Sequence, residues 1–147
     1  MIVKTILKTK TRGTGVVTIS PQASIGEAAK LLANHRIGAV IAVDDKGAIA
    51  GILSERDIVR GLSQTDAVCT TAVVGDLMTT NVLTCHEDDS TESLMKIMTD
   101  KRIRHLPVTD GTGELCGMVT IGDVVKSRLD EMDMEVDNLR NYVATSR

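Results

Sequence analysis

The residues best able to do chemistry lie in two copies of one pattern, Gly-h-h-[Ser/Thr]-x-x-Asp, where h is aliphatic. One copy is Gly51-Ile52-Leu53-Ser54-Glu55-Arg56-Asp57 and the other is Gly117-Met118-Val119-Thr120-Ile121-Gly122-Asp123. A hydroxyl followed on the next turn by an acid is a helix-capping arrangement, the hydroxyl accepting from a free amide and the carboxylate answering it. The same atoms have a second use. The start of a helix offers free N–H groups and a partial positive charge to a phosphate, with the hydroxyl as a further donor. A carboxylate beside it repels phosphate but accepts both hydroxyls of a ribose. Hydroxyl for phosphate and carboxylate for diol describe a nucleotide, while the spacing alone leaves capping and binding both open.

Other chemistry finds little support. His35, His86 and His105 fall in separate elements without H-E-x-x-H spacing, so no metal site is expected. No Gly-rich phosphate loop or nucleophile elbow is present, and catalysis is not expected. The cysteines, Cys69, Cys85 and Cys116, are odd in number and form no C-x-x-C pair, which suits a reducing cytoplasm better than a disulfide-stapled secreted domain. They read as small core hydrophobes, with Cys116 in mid-strand and Cys85 the one expected to be exposed.

The pattern repeats because the chain does. Residues 16–60 align with 82–126 without a gap at an offset of 66, and 11 of those 45 positions are identical. Two copies do not make a solenoid, and two half-domains more naturally face each other about a pseudo-twofold axis. Each copy reads as β-α-β-β-α. A strand (Val16–Ile19, Val82–Cys85) precedes a helix opened by a capping box, Ser24 to Glu27 and then Asp89 to Glu92. A second strand (Ala39–Val43, His105–Val108) reaches a turn holding Gly47 or Gly113, which supply positive φ. A third strand (Ile49–Leu53, Leu115–Val119) then enters the motif helix from about Arg56 or Gly122. The stretch Ser63–Val74 reads as a polar, irregular linker, and the domains as 13–63 and 76–130 with a tail over 131–147.

Composition narrows the partners. The 147 residues include a single aromatic, Tyr142, and the net charge is −3. Bases are commonly stacked on aromatic rings and phosphate backbones are held by basic surfaces, so nucleic acid is an unlikely partner. No apolar run reaches the ~18–20 residues of a membrane helix, and the start lacks a secretory pattern.

With these residues in view, the chain resembles a tandem pair of cystathionine β-synthase (CBS) domains over about residues 13–130. The segment Arg102-Ile103-Arg104-His105-Leu106-Pro107-Val108 is similar to the one that precedes the family's middle strand. The resemblance implies an α/β fold of two pseudo-symmetric domains packed sheet to sheet, with two clefts that take adenosine-containing ligands. In one cleft Asp123 would hold the ribose, and Thr120 and Gly122 would lie near ribose or phosphate. Arg104 and His105 would face the phosphate, and Thr14, Val16, Val17, Ile37 and Gly38 would border the adenine. In the other cleft Asp57 and Ser54 would take those roles against Val82, Leu83 and Ile103, with Arg56 either compensating or blocking. Gly38 and Ala39 stand where the second copy has Arg104 and His105. A charge-assisted contact is worth about 1.5–3 kcal/mol, so the cleft with Asp123 is expected to be the main site. The resemblance further implies a regulatory, non-enzymatic module without a catalytic cofactor. AMP or NAD is favoured over ADP, ATP or S-adenosylmethionine, and the output is an action in trans on a partner protein. The alternative is an interaction scaffold with vestigial clefts.

Two segments lie outside the repeat. Lys4, Lys8, Lys10 and Arg12 form a basic arm, read as a solvated leader or as a phosphate or nucleic-acid contact. Val125, Leu129, Met132, Val136, Leu139 and Val143 follow 4-3-4-3-4 spacing, with Asp130, Glu131, Asp133, Glu135 and Asp137 between them. The motif helix of the second copy is therefore expected to run on past its domain. Its stripe either packs on the module's own surface or assists a homodimer, the habit of the family it resembles.

Overall fold

The computed structural model describes residues 1–9, 16–65 and 71–145. Lys10, Arg12, Thr14 and Cys69, all singled out above, lie outside the described residues. The described elements are α1 (Val3–Thr9), β1 (Thr18–Ile19), α2 (Ile25–His35), β2 (Ala39–Val43), β3 (Ile49–Ser54), α3 (Glu55–Gln64), α4 (Val74–Leu77), β4 (Cys85–His86), α5 (Thr91–Lys101), β5 (His105–Thr109), β6 (Leu115–Thr120) and α6 (Ile121–Thr145). They form two compact units, one holding residues 16–65 and 71–83 and the other residues 1–9 and 84–145.

Each unit is one repeat copy, and each carries a three-stranded sheet in the order β1-β2-β3 or β4-β5-β6. The first pair in each sheet is parallel and the second antiparallel. The β-α-β-β-α reading therefore holds in both. The leading strands are shorter than expected, because only Thr18 and Ile19 pair with β2, and only Cys85 and His86 with β5. The turns are built by Asp44 and Asp110, whose carboxylates accept two backbone N–H groups each. The Thr112 hydroxyl and amide hold Asp110 below the usual carboxylate range. Gly47 (φ 80°) and Gly113 (φ 85°) complete these turns in a region that L-side chains avoid.

The helices α2 and α5 start and stop by local chemistry. Ser24 caps α2 by accepting from the Glu27 amide. In the second copy the box expected from Asp89 to Glu92 is displaced by one residue: Ser90 is the cap and accepts from the Ser93 amide. Asp89 instead accepts from the His86 amide, so its carboxylate braces the preceding turn. Both helices end on an arginine in the left-handed region, Arg36 (φ 53°) and Arg102 (φ 54°), after which the chain turns at once into β2 or β5.

The cores are aliphatic and equivalent. Ile25, Ala28, Leu32, Val40, Ala42 and Leu53 fill the first. Leu94, Met98, Leu106, Val108, Val119 and Val124 fill the second. Each core is completed by a leader segment that the ungapped repeat does not contain. In the first unit Val74 is fully buried and its amide donates to Ala23 O (2.8 Å). In the second, Val3 is fully buried and its amide donates to Asp89 O (2.9 Å). The bridges Ser24↔Val73 and Ser90↔Ile2 match in the same way. Residues 72–78 are thus equivalent to 1–7, and each leader docks on the copy other than the one it directly precedes. A glycine admits each: a Cβ on Gly51 would lie 2.6 Å from the Met78 sulfur, and one on Gly117 would lie 2.7 Å from a Leu7 methyl.

This corrects three expectations. The segment with Lys4 and Lys8 is not a solvated leader but a helix whose Val3 and Ile6 are buried, the lysines lying on its exposed side. Nor is Ser63–Val74 wholly linker, since α3 runs to Gln64 and Val74 opens a docked helix. The cysteines are reversed as well. Cys85 is buried and Cys116 exposed, because the pleat turns Cys85 to the core and Cys116 away from it. Burial pushes the Cys85 thiol up to about 12, with a smaller push from Asp89. A thiol reagent at pH 8 should label Cys116 in the folded protein and reach Cys85 only after unfolding. Peptide mapping with equal labelling of both would contradict this placement.

Candidate functional site

The motif forms a strand-to-helix junction in each unit, and the two junctions are built alike. In the first, the Ser54 amide donates to Asp57 Oδ2 (2.9 Å) and the Asp57 amide donates to Ser54 Oγ (3.2 Å). In the second, the Thr120 amide donates to Asp123 Oδ2 (3.0 Å) and the Asp123 amide donates to Thr120 Oγ1 (3.1 Å). Both are reciprocal capping boxes, so the capping reading of the motif is correct in both copies. It does not exclude the other, since a cap engages one carboxylate oxygen through a lone pair and leaves the group anionic.

The strand before each motif reaches the same corner. The Glu55 amide donates to Gly38 O (2.9 Å), and the Ile121 amide donates to Arg104 O (2.9 Å). Ala39 is the cross-strand partner of Ser54, as His105 is of Thr120. Of the residues assigned to the main cleft, the structure thus brings Arg104, His105, Thr120, Gly122 and Asp123 to one end of one sheet. Val16, Val17, Ile37 and Gly38 belong to the other unit, where Val17 and Ile37 pack against its core. For the second cleft, Ser54, Arg56 and Asp57 share a corner. Val82 and the exposed Leu83 belong to their unit, whereas Ile103 packs in the core of the other.

The corners differ in charge and in access. In the first, Asp57 is buried, its Oδ2 also accepts from the Ser54 hydroxyl (3.1 Å), and its Oδ1 lies 3.7 Å from the Arg60 guanidinium. Arg60 was not singled out from the sequence, although its i+3 spacing from Asp57 is a visible signal. The second corner has a half-buried Asp123, an exposed Arg104 and a half-buried His105. A carboxylate and a cationic side chain at one helix start suit a ligand with a diol and an anion. Among the described residues no group of His, Cys, Asp and Glu is placed to hold a metal ion, and no helix is long and apolar enough to cross a membrane.

The profile of the CBS domain matches residues 10–64 and 74–130. The chain belongs to the CBS-domain family. This CBS pair is 44% identical to a CBS-domain containing protein from Agrobacterium tumefaciens, whose crystal structure it matches with a TM-score of 0.80 over 87% of this chain and 99% of that one. It is 30% identical to the CBS domain pair of protein MJ0100, in complex with 5'-methylthioadenosine and S-adenosyl-L-methionine (TM-score 0.74; 90% and 98% covered). It is 28% identical to CBSX2 in complex with AMP (TM-score 0.71; 89% and 98% covered). The match to the mitochondrial protein CBSX3 of Arabidopsis thaliana, 35% identical, covers 82% of this chain but 60% of that relative. An inosine-5'-monophosphate dehydrogenase from Methanocaldococcus jannaschii is matched over 77% of this chain and only 22% of the enzyme.

Proposed function

We propose that this CBS pair is a non-catalytic regulatory module that binds an adenosine-containing ligand and acts in trans on a partner protein. The observation that carries the reading is the second corner, where Arg104, His105, Thr120 and Asp123 converge at the start of a helix. Asp123 takes the ribose hydroxyls, Thr120 and the Gly122 amide lie near ribose or phosphate, and Arg104 and His105 steady the anion. The adenine is assigned to Val16, Val17, Ile37 and Gly38. That the related structures hold AMP, S-adenosylmethionine and methylthioadenosine supports an adenosine ligand. One cationic cluster favours AMP or NAD over a triphosphate. The corner at Ser54, Arg56 and Asp57 is the weaker site.

Ligand binding stabilises the folded state by RT ln(1 + [L]/Kd), about 2.7 kcal/mol at a hundredfold excess over Kd. For a chain of this size that is a rise in Tm of roughly 5–10 °C. A thermal-shift series with AMP, ADP, ATP, NAD and S-adenosylmethionine should show such a rise with AMP or NAD. A flat response to all of them would overturn the reading in favour of an interaction scaffold.

A further inference from the structure

We propose that the projecting half of α6 is one strand of a parallel two-stranded coiled coil formed with a second copy of this chain. The helix runs from Ile121 to Thr145, yet its only buried residues are Val124 and Ser127. From Leu129 to Thr145 every side chain is exposed except the half-buried Glu131. Such a stretch is poorly stable alone: short isolated helices are marginal in water, and like charges at i,i+4 spacing, as in Asp133/Asp137, weaken it further. Its apolar side is a continuous seam. Leu129, Val136 and Val143 fall at heptad position a, and Met132 and Leu139 at position d, all between 45% and 64% exposed. β-Branched residues at a with leucine at d favour two parallel strands, and Val136, Leu139 and Val143 fit that pattern, while Leu129 and Met132 only continue the apolar seam.

The flanking charges name the occupant and its direction. In a parallel pair each g residue meets the e residue of the partner's next heptad, so Glu135 faces Arg140 of the second copy, and Arg128 faces its Asp133. Both contacts are attractive, and symmetry doubles them. Arg128 already holds Glu131 (2.6 Å) and Glu92 (3.2 Å) at home, so the Glu135–Arg140 contact carries the selectivity. In the antiparallel register that sets Leu129 opposite Leu139, Glu135 would face Glu135 and Asp133 would face Asp133. In the one that sets Val136 opposite Leu139, the Asp133–Arg140 contact alone is attractive, twice by symmetry, whereas the parallel pair makes two kinds of attractive contact, four in all.

The test is cross-linking of the full chain carrying Cys69→Ser and Cys116→Ser. With Leu139→Cys added, mild oxidation should give a covalent dimer, because a d position meets its own copy across a parallel seam. Met134→Cys, at an outward f position, should stay monomeric. Adding Glu135→Arg to the Leu139→Cys chain should lower association roughly three- to tenfold, and Arg140→Glu should restore it. No dimer through Leu139→Cys, equal cross-linking through Met134→Cys, or a link formed only when Leu139→Cys is mixed with Leu129→Cys would each overturn the proposal. The last result would mark an antiparallel pair.

Discussion

Val3→Asp is expected to unfold the unit built on β4-β5-β6. Val3 is fully buried among Ile6, Leu94, Leu106 and their neighbours, so an aspartate there must enter the core charged or take up a proton to do so. Either costs several kcal/mol, against the roughly 5–15 kcal/mol that hold an ordinary domain. Val3→Ala removes methyl groups only and should cost about 1.5–3 kcal/mol. Lys4→Ala and Lys8→Ala lie on the exposed face and should stay within about 0.5 kcal/mol of the parent. Denaturant unfolding of the four variants checks this order. A Val3→Asp protein as stable as Lys4→Ala would mean that α1 is not part of the core. Val74→Asp should act likewise on the other unit, where Val74 is the equivalent residue.

That result would turn on a feature the sequence carries without advertising it. The repeat read from residues 16–60 and 82–126 locates both sheets, α2 and α5 and both motif helices, because aliphatic exchange at matched positions preserves their cores, and the heptad spacing of Val125 to Val143 locates the extension of α6. The leaders escape that reading. Met1-Ile2-Val3 and Leu7 match Ala72-Val73-Val74 and Met78 at an offset of 71, five residues out of step with the rest, so an ungapped comparison cannot find them. Lys4 and Lys8 then dominate the impression of the first segment, although on a helix they share the face opposite Val3 and Ile6. The signal was the pattern aliphatic-Val-x-x-aliphatic-aliphatic, visible only to a search that allows a gap. The cysteines depart from expectation because the pleat, not the position within a strand, decides which face a side chain takes. The displaced cap at Ser90 has a similar cause: with Asp89, Ser90 and Thr91 in succession, spacing alone offers more than one capping residue, and the role Asp89 plays at His86 decides among them. At the candidate site the capping role of the motif is legible but the surroundings of its two carboxylates are not. Nothing in the motif tells that Asp57 is buried between Ser54 and Arg60 while Asp123 is half-buried.

That difference gives the second large effect. Asp123→Ala should cost nucleotide affinity heavily, and Asp57→Ala should cost stability instead. If the ribose hydroxyls donate to the Asp123 carboxylate, losing both charge-assisted bonds removes about 3 kcal/mol or more, a loss in affinity of a hundredfold or greater. The mutation also removes a cap, worth about 1 kcal/mol of stability, so a weakened fold must be separated from a weakened site. Asp123→Asn does so, because the amide oxygen can still accept from the Thr120 amide while the charge is gone. Its Tm should stay near the parent value and its affinity should still fall at least tenfold. Asp57→Ala strands the Ser54 donors at a buried corner and releases Arg60, at a cost of about 1–3 kcal/mol. Its affinity should stay within a few-fold of the parent, since its carboxylate is already spent within its own unit. Calorimetric titration of AMP into all three variants, beside their melting curves, reads both quantities at once. Equal losses of affinity in Asp57→Ala and Asp123→Ala would show two equivalent sites and end the asymmetry. Full affinity in Asp123→Asn would move the ribose elsewhere and leave this carboxylate a cap and nothing more.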